Sequence, residues 1–373
     1  MRGYPGRFDP LIYYGKLRLN QTIITKRLTP IKVDRGSRSA TATLPRIQPR
    51  IIGATYLMIA LLADIGGTKS QLALMNEQGA FIHRRTVLNH EHPSFDALVD
   101  QFLHTQPPPQ CAILAVAGPV DDGIRCRMTN LNWLIDGVAL QQRLQLKFVN
   151  LLNDLQATAW SMTDPGVQSR LGMLRGSGLN FEQPVVVISP GTGLGQACIQ
   201  PHQDQYVIQG TEGGHKTIAP FNRLSAELIL QHWQQYDYPP SWENWFSGSG
   251  FSRLFQTMFP GAPVPDNATM GQQAISDPDS SSARCMELFT QAIYAEAGNL
   301  VLQYLAWGGV IVAGGIPPKL GKLFCQPEHI AYIERKNEYL DRLSAVPVAL
   351  CQEADAPLTG AATYCKQRWH ESS

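Results

Sequence analysis

Three separate apolar runs of strand length each break off into a glycine-rich turn, and this limits the folds open to the chain. Residues 58–63 lead into Asp64-Ile65-Gly66-Gly67-Thr68. Residues 184–188 lead into Ser189-Pro190-Gly191-Thr192-Gly193-Leu194-Gly195, and residues 310–313 into Gly314-Gly315-Ile316. One such turn is weak evidence, since glycine commonly serves a tight bend. Three of them, each at the carboxyl end of a buried strand, point to one crevice in which backbone N–H groups come close to phosphates. There is no GxxxxGK(S/T) loop, and no GxGxxG opening a helix with an acid about 20 residues on. P-loop NTPases and dinucleotide dehydrogenases are therefore poor fits.

The intervening sequence supplies helices. The run 58–63, the first turn and residues 71–74 predict a hairpin. Phe95, Leu98, Phe102 and Leu103 recur at helical spacing over residues 94–106, before the stop at Pro107–Pro109. Further strands are expected at 111–117 and 147–152, and helices over 155–162 and 291–305. Strands alternating with helices define an α/β class. The Pro-, Ser-, Asp- and Asn-rich stretch 260–282 reads as a surface loop, and Trp242 and Trp245 as core or cleft wall.

Charge divides the chain. Residues 1–57 hold 11 bases and two acids, a net +9, and the remaining 316 residues hold 20 bases and 28 acids, a net −8. The acidic body is not a nucleic-acid footprint. At 44% hydrophobic residues the chain can bury a core. Seven cysteines without a CxxC pair argue against a disulfide framework or a thiolate zinc site and favour a reducing compartment. The apolar run 51–63 is too short to span a bilayer. The leader shows no helix-turn-helix and no amphipathic period. It is read as sequence upstream of a true start at Met58, with an organellar transit peptide as the alternative.

Asp154 follows Asn153 at the end of the strand expected at 147–152. Taken alone, the residues leave two roles open for it: a carboxylate pointing into the crevice, or a cap for the next helix. Asp64 is likewise open between a turn residue and an acid near a phosphate-bound cation.

The three turns resemble the two phosphate loops and the adenosine motif of the sugar-kinase/actin/heat-shock-70 ATPases. The similarity to bacterial-type glucokinases is closer. It includes Met128-Thr129-Asn130 with Trp133, Leu152-Asn153-Asp154, Gly210-Thr211-Glu212-Gly213-Gly214-His215, Ala219-Pro220, and Glu243 just before Ser247-Gly248-Ser249-Gly250. It covers residues 58–373 and leaves out the leader. Two departures stand out: Ser189 replaces a glycine of the second phosphate loop, and Lys69 stands where Asn is commoner. The zinc motif of the related ROK sugar kinases is missing, with no cysteine between Cys198 and Cys285, which favours the non-zinc group.

The resemblance implies a two-lobed ribonuclease H-like, actin-like ATPase fold. The small lobe would be residues 58–164 plus 352–373 and the large lobe 165–351, with the active-site cleft between them. It implies transfer of the ATP γ-phosphoryl group to the 6-hydroxyl of glucose. Asp154 would be the general base, and Asn130, Asn153, Glu212, His215 and Glu243 would bind the sugar. Gly66, Gly67, Thr68, Gly191, Thr192, Gly193 and Gly195 would approach the phosphates, and Gly314 and Gly315 the adenosine. Asp64 would hold Mg²⁺ through water. A cytoplasmic homodimer is implied, with no nucleic-acid or membrane partner. The alternatives are a kinase of another hexose or an N-acetylhexosamine, and a non-catalytic sugar sensor or repressor.

Overall fold

The computed structural model describes residues 58–128 and 131–371. The leader and Asn130 lie outside the described residues. Two sheets organise the rest. The first runs in the order Phe81–Leu88, Lys69–Asn76, Ile59–Ile65, Cys111–Val116, Phe148–Asn153. Its first three strands pair antiparallel and its last three parallel. The second runs in the order Gln205–Thr211, Leu194–His202, Val185–Pro190, Gly309–Val312, Val348–Leu350, Gly172–Arg175. Its first five strands repeat the pairing pattern of the first sheet, and an antiparallel edge strand is added. In both, the first long strand of the half turns back through a glycine-rich hairpin, the expected turns after residues 63 and 188.

Burial explains the strands. Cys111–Val116 is buried at all six positions, as a parallel strand covered on both faces should be. Alternate residues of the first sheet then serve two cores. Leu61, Ala63, Ile65 and Leu114 pack with Phe95, Leu98 and Phe102 of the helix Phe95–Leu103. Ala60, Leu62, Ile113 and Ala115 pack with Ala157 and Trp160 and with Leu358, Ala361 and Cys365 of the terminal helix Ala356–Glu371. That helix lies so tightly on the helix Asp154–Ser161 that a Cβ at Gly360 would fall 1.6 Å from the Ala157 carbonyl oxygen. The largest core surrounds the helix Ser281–Tyr304 and takes in Trp242, Trp245 and Phe246.

Two sequence expectations change. The stretch 260–282 is not all loop: it contains the helix Asn267–Ser276, capped by Asp266 accepting from the Ala268 and Thr269 N–H groups. The polar residues that suggested a loop are caps, and Met270 and Ala274 supply a buried face. The helix expected over 291–305 begins ten residues earlier, at Ser281, with Ser280 as its cap.

Candidate active site

The strand Phe148–Asn153 passes directly into the helix Asp154–Ser161, and the junction shows which residue caps that helix. Asn153 is the cap: its Oδ1 accepts from the Leu155 N–H at 2.9 Å, and Gln156 reciprocates by accepting from the Asn153 N–H. The Asn153 Nδ2 donates to the Gly118 carbonyl at 3.2 Å. Asp154 accepts from the Leu155 N–H at 2.8 Å and is not needed as the cap. Asp154 lines a cavity of about 280 Å³. Burial pushes its pKa upward, against the hydrogen bond that lowers it; Glu212 adds a further rise.

The same cavity is lined by Asn153, Gly191, Thr192, Gly193, Glu212, His215 and Glu243. The His215 Nε2 lies 3.7 Å from Glu243 Oε1 and 3.8 Å from Glu212 Oε2. Glu243 is the best-buried of the three and is fixed in place. Its Oε2 accepts from the Leu194 N–H at 2.9 Å, and its short helix Trp242–Trp245 is capped by Ser241. Glu212 and His215 are exposed to the cavity. Among the predicted sugar-binding residues, only Asn130 falls outside the described residues; the others meet here.

A larger cavity, about 930 Å³, adjoins the first and shares Gly191 and Thr192 with it. Gly315, Ile316, Lys319 and Ser249 also line it, as do residues of the helix Asn267–Ser276. Gly191 and Gly315 face open space. Gly314 has φ +88° and packs so that a Cβ would meet the Pro190 oxygen at 2.5 Å, a conformation and a proximity only glycine tolerates. Ser249, Asn267, Gln272 and Lys319 were missed as nucleotide-side candidates by sequence reasoning. Ser249 sat inside a recognised motif, but the others carried no local signal. Gly195 lines the small cavity, yet its lack of a side chain also admits Leu155, whose Cδ2 would be 2.8 Å from a Cβ there.

Asp64, Gly66, Gly67 and Thr68 line neither cavity. Their turn is braced by Asn89, a fully buried residue that donates to the Gly66 carbonyl at 2.8 Å and accepts from the Ser70 hydroxyl at 2.6 Å. Asp64 is pushed up to about 6, first by burial, then by the neighbouring charges of Asp154 and Asp355, with Lys69 acting in the opposite sense. A partly buried carboxylate whose pKa is raised by neighbouring acids suits a cation beside it. Among the described residues no group of three or more His, Cys, Asp or Glu could hold a metal. Mg²⁺ that keeps its waters and leans on nucleotide phosphates needs only one or two carboxylates, so Asp64 fits that ion.

A buried strand-end carboxylate beside a polar pocket, set against a nucleotide-sized cavity on two copies of one sheet pattern, defines a sugar kinase of the actin-like ATPase class. The glucokinase family model matches residues 61–368, and the chain belongs to that family. It is 30% identical over 338 residues to a glucokinase from Nostoc sp., covering 82% of this chain and 98% of that one. It is similar in structure to a glucokinase from an Antarctic psychrotroph, with a TM-score of 0.74 and 26% identity over 83% of this chain and 99% of the other. A ROK family glucokinase from Streptomyces griseus, solved with glucose and AMPPNP, shares the fold at a TM-score of 0.51 and 20% identity, covering 84% of this chain and all of that one. No described helix is long and apolar enough to cross a membrane.

Proposed function

We propose that the protein transfers the γ-phosphoryl group of ATP to the 6-hydroxyl of glucose, giving glucose 6-phosphate and ADP. The observation that carries this is the shared wall: Gly191 and Thr192 border both the pocket holding Asp154 and the larger cavity holding Gly315. A phosphoryl group gripped there stands between a nucleotide on one side and a hydroxyl on the other. Phosphoryl transfer asks the protein mainly for positioning and charge stabilisation, with a carboxylate to accept the hydroxyl proton. Asp154 takes that role, and burial makes it a stronger base than an ordinary aspartate. Glu212, His215 and Glu243 hold the sugar hydroxyls; a carboxylate accepts from two hydroxyls and a histidine both donates and accepts. Sugars lacking the hydroxyl that Glu243 accepts from would leave that half-buried carboxylate unpaired.

The backbone N–H groups of the Gly191–Gly193 turn and the Thr192 hydroxyl approach the phosphates, as do those of Gly66, Gly67 and Thr68 from the other sheet. Gly314 and Gly315 lie against the adenosine. Mg²⁺, held through water by Asp64, would neutralise charge on the β- and γ-phosphates. The two sheets are the centres of a small lobe, residues 58–164 plus 352–373, and a large lobe, residues 165–351. Closure of one on the other would exclude water that otherwise hydrolyses ATP. A cytoplasmic homodimer rests on the family resemblance alone.

The test is a coupled assay of the purified protein against glucose, mannose, fructose and N-acetylhexosamines, with ATP, ADP and polyphosphate as donors. Glucose with ATP and Mg²⁺ should give the highest kcat/KM. A higher value for another sugar would move the protein to a different kinase specificity, and no turnover of any sugar would leave the sensor alternative.

A further inference from the structure

The carboxylate of Glu296 lies in the middle of the long helix Ser281–Tyr304 with its side chain 1% exposed. It makes three polar contacts. Oε1 is 2.8 Å from the Lys216 ammonium and accepts from the Gln196 Nε2 at 3.1 Å, and Oε2 accepts from the Asn299 Nδ2 at 2.8 Å. Lys336 is a second cation in the neighbourhood, donating to the Ala295 carbonyl at 3.3 Å. None of these residues lines either cavity. A buried carboxylate is costly unless it is paired, and so well-paired a charge beside a core of aliphatic and aromatic side chains needs a reason.

The reason lies in what Lys216 joins. It is the residue after His215, and its N–H donates to the Gly213 carbonyl at 3.1 Å, closing the Gly213–His215 turn. Its own carbonyl accepts from the Trp242 N–H at 3.0 Å, at the start of the four-residue helix that carries Glu243. One residue therefore ties together both segments that present carboxylates to the small cavity. Gln196, the second partner of Glu296, supports the same turn from beneath. Its Oε1 lies where a Cβ at Gly213 would be 2.0 Å away, and its backbone carbonyl accepts from the Thr211 hydroxyl at 3.3 Å.

We propose that Glu296, acting through Lys216 and Gln196, is a positioning residue for sugar recognition: it sets the spacing of Glu212 and His215 against Glu243. This rests on the kinase reading for its substrate, but not for its geometry. The charge on Glu296 holds the Lys216 side chain inward, so the backbone on either side of Lys216 cannot swing out with the exposed ends of Glu212 and His215. None of these hydrogen bonds of Glu296, Lys216 and Gln196 reaches a residue that lines the larger cavity.

The experiment uses the full-length protein and the variants Glu296→Gln, Lys216→Met and the double variant. Glucose KM should rise about tenfold in each single variant, the scale of one lost charged hydrogen bond. ATP KM and kcat at saturating glucose should stay within twofold. The double variant should be no worse than the poorer single variant, since both remove the same link. In the unliganded protein, hydrogen exchange at the amides of residues 213–216 should quicken in Glu296→Gln while the strand Val185–Pro190 keeps its protection. An unchanged glucose KM, an equal rise in both KM values, or unchanged exchange at 213–216 would overturn the proposal. Should Glu296→Gln not fold, Lys216→Met, whose side chain is 41% exposed, is read by the same criteria. A wild type that phosphorylates no sugar overturns the kinase reading, and the exchange arm then decides the positioning role by itself.

Discussion

Gly193 stands directly against Glu243: a Cβ at position 193 would fall 2.5 Å from the Glu243 Oε2, the oxygen that accepts from the Leu194 N–H. The glycine turn proposed for phosphate is thus joined, through the Leu194 N–H, to a carboxylate proposed for sugar. Gly193→Ala should displace Glu243 and weaken both substrates together, lowering kcat/KM for glucose and for ATP by about tenfold or more. Steady-state kinetics with each substrate varied would check this. A change confined to ATP would mean that the two groups move independently.

Asp154→Ala should reduce kcat by at least about 10²-fold, the lower end of what a positioned general base supplies. Asp154→Asn keeps the shape and should lose as much. A rate within a few-fold of wild type for either variant would remove Asp154 from the mechanism.

The same residue should cost stability. Its pKa is higher in the folded than in the unfolded chain, so the folded state holds the proton more tightly. For an acid shifted this way, stability is greatest below the ordinary carboxylate range and is lost as pH rises through the folded pKa. Asp154→Asn should therefore raise Tm near pH 8, and the gain should disappear towards pH 4. Differential scanning fluorimetry across that range gives the answer, and a Tm below wild type at pH 8 would contradict it.

Asp64, pushed up to about 6, should be partly protonated in the weakly acidic range when no cation is present. A cation at Asp64 favours the ionised form. The acid limb of the kcat profile should consequently move to lower pH as Mg²⁺ is raised from limiting to saturating. Asp64→Asn should abolish that movement. A limb that ignores Mg²⁺ would separate Asp64 from the metal.

Gly360→Ala should destabilise by about 3 kcal/mol, the upper end for overpacking, because no Cβ fits against the Ala157 carbonyl. Urea unfolding measures this directly. A loss below about 1 kcal/mol would mean that the two helices separate at little cost.

The sequence marks the strands that carry the site well. The Cys111–Val116 strand is an unbroken apolar run with a clear stop, and the three glycine turns at 64–68, 189–195 and 314–316 are informative because each follows such a run. Assigning Asn153 rather than Asp154 as the helix cap was beyond its reach, because both residue types cap equally well and only the placement of the Gln156 side chain decides. The helix Asn267–Ser276 was hidden for a related reason: its caps and its polar outer face look like loop composition, and only two buried positions betray it. Asn89 and Glu296 left no trace at all, since each acts over a long separation: Asn89 on Gly66 and Ser70, Glu296 on Lys216 and Gln196.

The repeated strand order has a consequence for how such an enzyme can change. Of the two carboxylates proposed for chemistry, Asp64 is the penultimate residue of a strand of the first sheet and Asp154 directly follows another. Glu212, His215, Glu243, the Gly191–Gly193 turn and Gly314–Gly315 all belong to the second sheet or its helices. Most of the proposed sugar and nucleotide contacts therefore sit on one copy of the strand pattern, while the two proposed acids sit on the other together with Asn153 and the Gly66–Thr68 turn. Random variation confined to residues 189–320 could alter which sugar or nucleotide is accepted while leaving the strand and helix that carry Asp154 unaltered in sequence.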